Sequence, residues 1–137
     1  MVYVYDSSFI GALIIPDEKH HMVEKMAHKI RNEDEKYAPQ LLWYETANIF
    51  NNLVRRKRYT LDDVVLFIRS LGDIRLMIDS ASGPEYSEKL LRLANEYGLS
   101  SYDASYLELA GRKRAVLCTL DADLGTAAKR YCVAVLK

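Results

Sequence analysis

Four acidic residues stand where an acid is costly. Asp6 closes the β-rich run Val2-Tyr3-Val4-Tyr5, and Asp121 follows the apolar run from Val116 to Leu120. Glu45 sits beside Trp43, Tyr44, Ala47 and Ile49, and Asp103 precedes Ala104 and Leu107. An unpartnered carboxylate among apolar neighbours is unfavourable. Two carboxylates about 5 Å apart repel by roughly 3 kcal/mol at an effective dielectric near 20. A group of four needs protons, arginines or a divalent cation to offset that charge. Oxygen-only ligands favour a hard ion such as Mg²⁺ or Mn²⁺. No His/Cys cluster suited to zinc competes with it. Taken singly, each acid also fits a helix cap or a solvated face, and Asp103 suits a helix N-terminus.

The elements that must hold these acids follow from the apolar pattern. A strand is predicted at residues 2–5, with Ser7-Ser8 as the cap of a short helix that Pro16 ends. An amphipathic helix is expected from His20 to Arg31, then a short extended piece at Tyr37-Ala38-Pro39. A long helix runs from Leu41 to about Arg56, with Leu42, Ala47, Ile49, Phe50, Leu53 and Val54 as its apolar surface. Thr60 reads as the cap of a helix to Leu71, before a strand from Ile74 to Ile78. Pro84 opens a helix that stops at Gly98, and Ser101 opens another that reaches about Arg114. A strand from Val116 to Leu120, a helix from Leu124 to Arg130 and a strand from Cys132 to Leu136 complete the chain. Helix-sized patterns between short apolar strands imply an α/β fold: three layers, α/β/α, around a central, mostly parallel sheet. In such sheets ligands gather outside the carboxyl ends of the strands, where Asp6 and Asp121 fall.

Composition narrows the function classes. The 137 residues suit one domain, expected to span 1–137, and half of them are hydrophobic. Lys+Arg and Asp+Glu are both 19, so bulk positive charge does not drive any binding to nucleic acid. No apolar run approaches the roughly 20 residues that span a bilayer, and no signal peptide is expected. Cys118 and Cys132 sit in apolar runs and are expected as buried strand thiols, with a reducing, cytoplasmic compartment as the default. There is no G-x-x-x-x-G-K-[ST], G-x-G-x-x-G or G-x-S-x-G motif.

Four segments together resemble the PIN domain family, most closely its VapC-type toxins. They are Val4-Tyr5-Asp6-Ser7-Ser8, Pro39 to Asn48 around Glu45, Ser101-Tyr102-Asp103-Ala104, and Thr119-Leu120-Asp121-Ala122-Asp123-Leu124. The similarity implies an endoribonuclease dependent on Mg²⁺ or Mn²⁺, with Asp6, Glu45, Asp103 and Asp121 as metal-site acids. It implies Asp123 as a secondary acid and Ser7 and Thr119 as hydrogen-bonding supports. It also implies an RNA substrate, a small antitoxin partner and a homodimer. Two alternatives stand beside it: an inactive PIN-like module that binds RNA or protein, and a PIN nuclease of RNA processing without an antitoxin.

Other features divide between chemistry and packing. Arg55, Arg56, Lys57 and Arg58 suit either RNA phosphate or a helix end that complements the dipole. Arg112-Lys113-Arg114 and Lys129-Arg130 invite the same two readings. Ten tyrosines allow base stacking, but most are expected in the core or at an interface. Trp43 is expected to pack near the site. His20 and Glu24 have ligand spacing, yet incidental histidines on a surface helix account for them.

Overall fold

The computed structural model describes residues 1–18 and 21–136. Its strands are β1 (Val2–Tyr5), β2 (Glu35–Pro39), β3 (Met77–Asp79) and β4 (Val116–Cys118). Its helices are α1 (Ser7–Ile14), α2 (His21–His28), α3 (Leu41–Arg55), α4 (Leu61–Ser70), α5 (Pro84–Tyr97), α6 (Ser101–Lys113) and α7 (Ala122–Arg130). All strand pairs are parallel, in the order β3-β2-β1-β4. The expected parallel α/β architecture is therefore present.

Strand β1 lies inside the sheet and shows why its sequence is apolar without alternation. Tyr3, Val4 and Tyr5 are all buried, as parallel strands covered on both faces require. The chain winds outward from β1 through β2 to β3, then returns to place β4 on the other side of β1. The winding reverses between β1 and β4, which makes the gap beyond their carboxyl ends the topological switch point. Tyr5 pairs with Cys118, so Asp6 and Thr119 leave the sheet side by side.

Local chemistry explains most element ends. Thr60 caps α4 through a capping box with Asp63. Gly98 ends α5 in the left-handed region, φ 68°, where glycine carries no Cβ penalty. Elsewhere the expectations need correction. Asp6, rather than Ser7 or Ser8, caps α1. The strand expected at 74–78 begins later, because Leu71–Ile74 forms a 3₁₀ turn that Arg75 ends at φ 56°. The strand expected at 132–136 is reduced to a single parallel bridge between Leu117 and Val135. Cys132 turns the chain there at φ 61° and is exposed, so only Cys118 is a buried strand thiol. Trp43 and Ala47 on α3 point outward, while Thr46 takes a buried place. The His20–Glu24 pairing lies outside the described residues.

Candidate active site

The switch point is built around Asp6. It is 4% exposed, and its side chain begins α1 by accepting the Phe9 amide at 2.8 Å. The Ser8 hydroxyl donates to the same carboxylate at 2.8 Å. The Thr119 hydroxyl, arriving from β4, donates to Asp6 Oδ2. That hydroxyl also accepts the Asp121 amide at 3.0 Å, and Ser8 Oγ accepts the Leu120 amide at 2.9 Å. Two hydroxyls thus lock the β1–α1 and β4–α7 junctions together. Burial pushes the Asp6 carboxyl up to about 6, and the negative Glu45 adds to it. The bonds from Thr119, Phe9 and Ser8 pull it down but do not prevail.

Glu45 approaches from α3, half-buried, and accepts a hydrogen bond from the Tyr106 phenol of α6. Tyr106 is 1% exposed. Burial, the Glu45 bond and the charge of Asp6 raise its ionisation well above the ordinary range, so it stays a donor. Ser7 meets the same phenol. Asp103 sits in the first turn of α6, behind the Ser100 cap that accepts its amide at 3.0 Å. Burial raises its carboxyl above the usual range. The Ser100 bond opposes this, while Asp121 and Asp123 raise it further. Asp121 is exposed and caps α7 by accepting the Leu124 amide at 2.7 Å. Asp123 is exposed in the first turn of α7.

The acids therefore form two coupled sets. Asp6 and Glu45 face each other around Tyr106, and Asp103 feels Asp121 and Asp123. Thr119 bridges the sets through Asp6 and the Asp121 backbone. Among the described residues, no three His, Cys, Asp or Glu stand together as a ready-made metal cage. The donors still fit a hard cation. They are all oxygen, their desolvation and mutual repulsion call for positive charge, and Mg²⁺ is ordinarily held by one or two carboxylates with water and phosphate completing its shell.

The basic runs lie elsewhere. Arg55, Arg56, Lys57 and Arg58 are exposed at the far end of α3, about 15 Å along its axis from Glu45. Arg58 is tied to Asp17 at 2.6 Å. Arg112 is engaged with Asp79 and Glu108, Lys113 lies over the Tyr37 ring, and Arg130 lies over the Tyr97 ring. Neither Tyr106, expected in the core, nor Ser8, expected as a helix cap, carries a site role in the sequence reading. Their spacing from Asp103 (three residues, one helical face) and Asp6 (two residues, a cap) was the available signal.

The wholly parallel sheet, with Asp6 and Asp121 leaving it at the β1/β4 switch point, is a PIN-like α/β fold, and the PIN domain family matches residues 3–130. The chain belongs to that family. Among its relatives is Ribonuclease VapC3 of Pyrobaculum aerophilum, 29% identical over 124 residues that cover 90% of this chain and 92% of that protein. The crystal structure of PAE2754 from Pyrobaculum aerophilum superposes with TM-score 0.71 at 25% identity, covering 94% of this chain and 81% of that one. The structure of FitAcB from Neisseria gonorrhoeae gives TM-score 0.69 at 17% identity, covering 100% and 97%, and supports the fold alone. Among the described residues no helix is long and apolar enough to cross a membrane.

Proposed function

We propose that this chain is an endoribonuclease dependent on Mg²⁺ or Mn²⁺, acting in the cytoplasm as the toxin of a type II toxin–antitoxin pair. The observation that carries it is Asp6: a buried carboxylate at the switch point, held by hydroxyls and an amide, with an acid instead of a base opposite it. Asp6, Glu45, Asp103 and Asp121 would hold the cation, with Asp123 as an additional acid at the rim. A bound divalent ion supplies positive charge for the scissile phosphate and an activated water. Thr119 and Ser8 fix the Asp6 carboxylate, and Tyr106 fixes Glu45. Hydrolysis with in-line attack leaves a 5′-phosphate and a 3′-hydroxyl. Arg55, Arg56 and Lys57 are the proposed phosphate contacts beyond the site. The similarity to Ribonuclease VapC3 supports the RNA substrate, and the resemblance of the four motif segments to VapC-type toxins is what suggests an antitoxin partner. Exposed Trp43 and Tyr44 on α3, with Leu61 and Leu66 on α4, offer apolar surface for that antitoxin or for a homodimer.

Asp6→Asn and Asp103→Asn should each lower Mg²⁺-dependent RNA cleavage on the order of a hundredfold or more, with the fold kept. Mn²⁺ at a hundred times its Kd should stabilise the wild type by about 2.7 kcal/mol in thermal melts and leave Asp6→Asn nearly unmoved. Cleavage that persists in EDTA, or in either variant, sinks the assignment. A metal-binding wild type that cuts no RNA points to the binding-module alternative.

A further inference from the structure

One cavity at the carboxyl edge of the sheet is not used by the acids. It measures about 240 Å³ and opens where β2 ends, between α3, α5 and α6. Leu41, Tyr86 and Leu90 line it, with Gln40, Ser101 and Tyr102 beside them, and no lining residue is charged. Its place matters. Ser101 and Tyr102 occupy the same helical turn as Asp103, and Leu41 lies one turn before Glu45. Successive residues of a helix differ in direction by about 100°. The α6 face at Tyr102 and Ser105 therefore lies beside the face at Asp103 and Tyr106, on the β3 side of the acids.

Tyr102 is the second notable feature. Tyr3, Tyr5 and Tyr106 are buried, as core tyrosines should be, but Tyr102 is 61% exposed at the cavity. An exposed ring in the wall of an uncharged, mainly apolar recess suits a planar neutral group. The volume lies below the roughly 300–1,000 Å³ of sites for drug-sized ligands, which fits one ring system better than a helix or strand. We propose that this cavity receives one unpaired nucleobase of the RNA, from a nucleotide flanking the cut phosphodiester, with the base stacked on Tyr102. This rests on the ribonuclease reading above. The acids then take the phosphate and the cavity takes the neighbouring base, so the pocket is where sequence preference is read. Gln40 and Ser101 stand at its wall to meet the edge of the base.

The test is abasic scanning on a single-stranded RNA that the wild type cleaves. Moving one abasic site through the positions flanking the cut should raise KM at one position only. Tyr102→Ala should raise KM for intact RNA roughly fivefold to a hundredfold, the range of one stacked base, with kcat little changed. In that variant the sensitive abasic position should add no further loss. Leu90→Trp, which fills the cavity from α5, should act likewise. Abasic penalties that are equal in wild type and Tyr102→Ala overturn the proposal while leaving the nuclease intact. So does a Tyr102→Ala chain with unchanged kinetics that loses a protein partner, which would assign the cavity to that partner. If no RNA is cleaved, the ribonuclease reading fails, and NMR titration of the metal-free chain with uridine and adenosine 5′-monophosphates decides the pocket separately. Movement of the Tyr102 and Tyr86 ring signals supports the base site, and unmoved signals overturn it.

Discussion

At the scale of single residues, the hydroxyl of Tyr106 does more than fill the core. It is the only described side-chain donor shown bonding Glu45, and it reaches across from α6 to α3. Tyr106→Phe keeps the packing and removes the donor, so stability should fall by only about 1 kcal/mol. Groups that orient a metal ligand typically carry 10- to 100-fold in metal affinity, and calorimetric titration with Mn²⁺ should show a loss of that order. In a Glu45→Gln background the same change should cost little more, a coupling that a purely structural tyrosine would not show. Asp6 makes a second prediction. Its carboxyl stands at about 6 when folded against an ordinary 3.8, so the folded state holds an extra proton between those values. That stability is present below pH 3.8 and lost as the pH rises through 6, about 3 kcal/mol in all. In EDTA, urea melts of wild type and Asp6→Asn at pH 4 and pH 7 should differ by most of this amount, because the unfolded carboxyl is already partly ionised at pH 4, with the wild type losing more. Equal slopes would remove the desolvated carboxylate from the account. The four acids stood out in sequence because each interrupts an apolar pattern. Tyr106 did not, because a tyrosine within an apolar helix face already looks like core until α3 is folded against it.

At the scale of elements, α6 carries the heaviest load, since Asp103, Tyr106 and the cavity wall all belong to it. An ion network anchors its far half. Glu108 is 1% exposed, and it accepts from Lys89 of α5 at 2.6 Å and from Arg112 one turn on at 3.0 Å. Arg112 also reaches Asp79 at the end of β3, at 2.7 Å. Burial pushes the Glu108 carboxyl up, yet Arg112 and Lys89 outweigh it and hold it below the usual range. Breaking one side of such a network leaves a buried charge uncompensated, at about 3–5 kcal/mol for a fully buried pair. Arg112 is 35% exposed, so Arg112→Met should cost about 2–3 kcal/mol in denaturant unfolding, and Lys89→Met less. A loss below about 0.5 kcal/mol for Arg112→Met would mean the network contributes no anchoring. The basic run 112–114, which composition left open between phosphate and helix end, therefore has its first arginine committed to ion pairs with Asp79 and Glu108. Helix positions were readable throughout, because caps and the 3.6 period are local. The segment after Tyr131 was not: Cys132-Val133-Ala134-Val135 is apolar and β-rich, but Cys132 must turn the chain at positive φ before Val135 can meet Leu117. Only one bridge forms, and that depends on the distance back to β4 rather than on local propensity.

At the scale of the whole molecule, the equal count of 19 basic and 19 acidic residues hides a local asymmetry along α3. Glu45 lies near the end that faces the other site acids, while Arg55, Arg56 and Lys57 project from the opposite end. Because α3 carries Glu45 near one end and these cations at the other, a bound strand lying along it would set its phosphates on positive charge a few nucleotides from the cut. The distance of about 15 Å is more than the roughly 10 Å Debye length at 0.1 M salt, so the cations do not neutralise the acids and leave them free for a metal. The repulsive edge and the attractive end then divide the work of placing RNA. Replacing Arg55, Arg56 and Lys57 together by glutamine, with Arg58 kept for its bond to Asp17, should weaken RNA binding uniformly across sequences. Each single-strand phosphate contact contributes about 0.7 to the slope of log affinity against log salt. The triple variant should therefore flatten that slope by about 2, measured by fluorescence anisotropy in Ca²⁺ or EDTA to suppress cleavage, while kcat at saturating RNA stays near wild type. An unchanged slope would return these residues to the role of a solvated helix end and place the RNA path on another face.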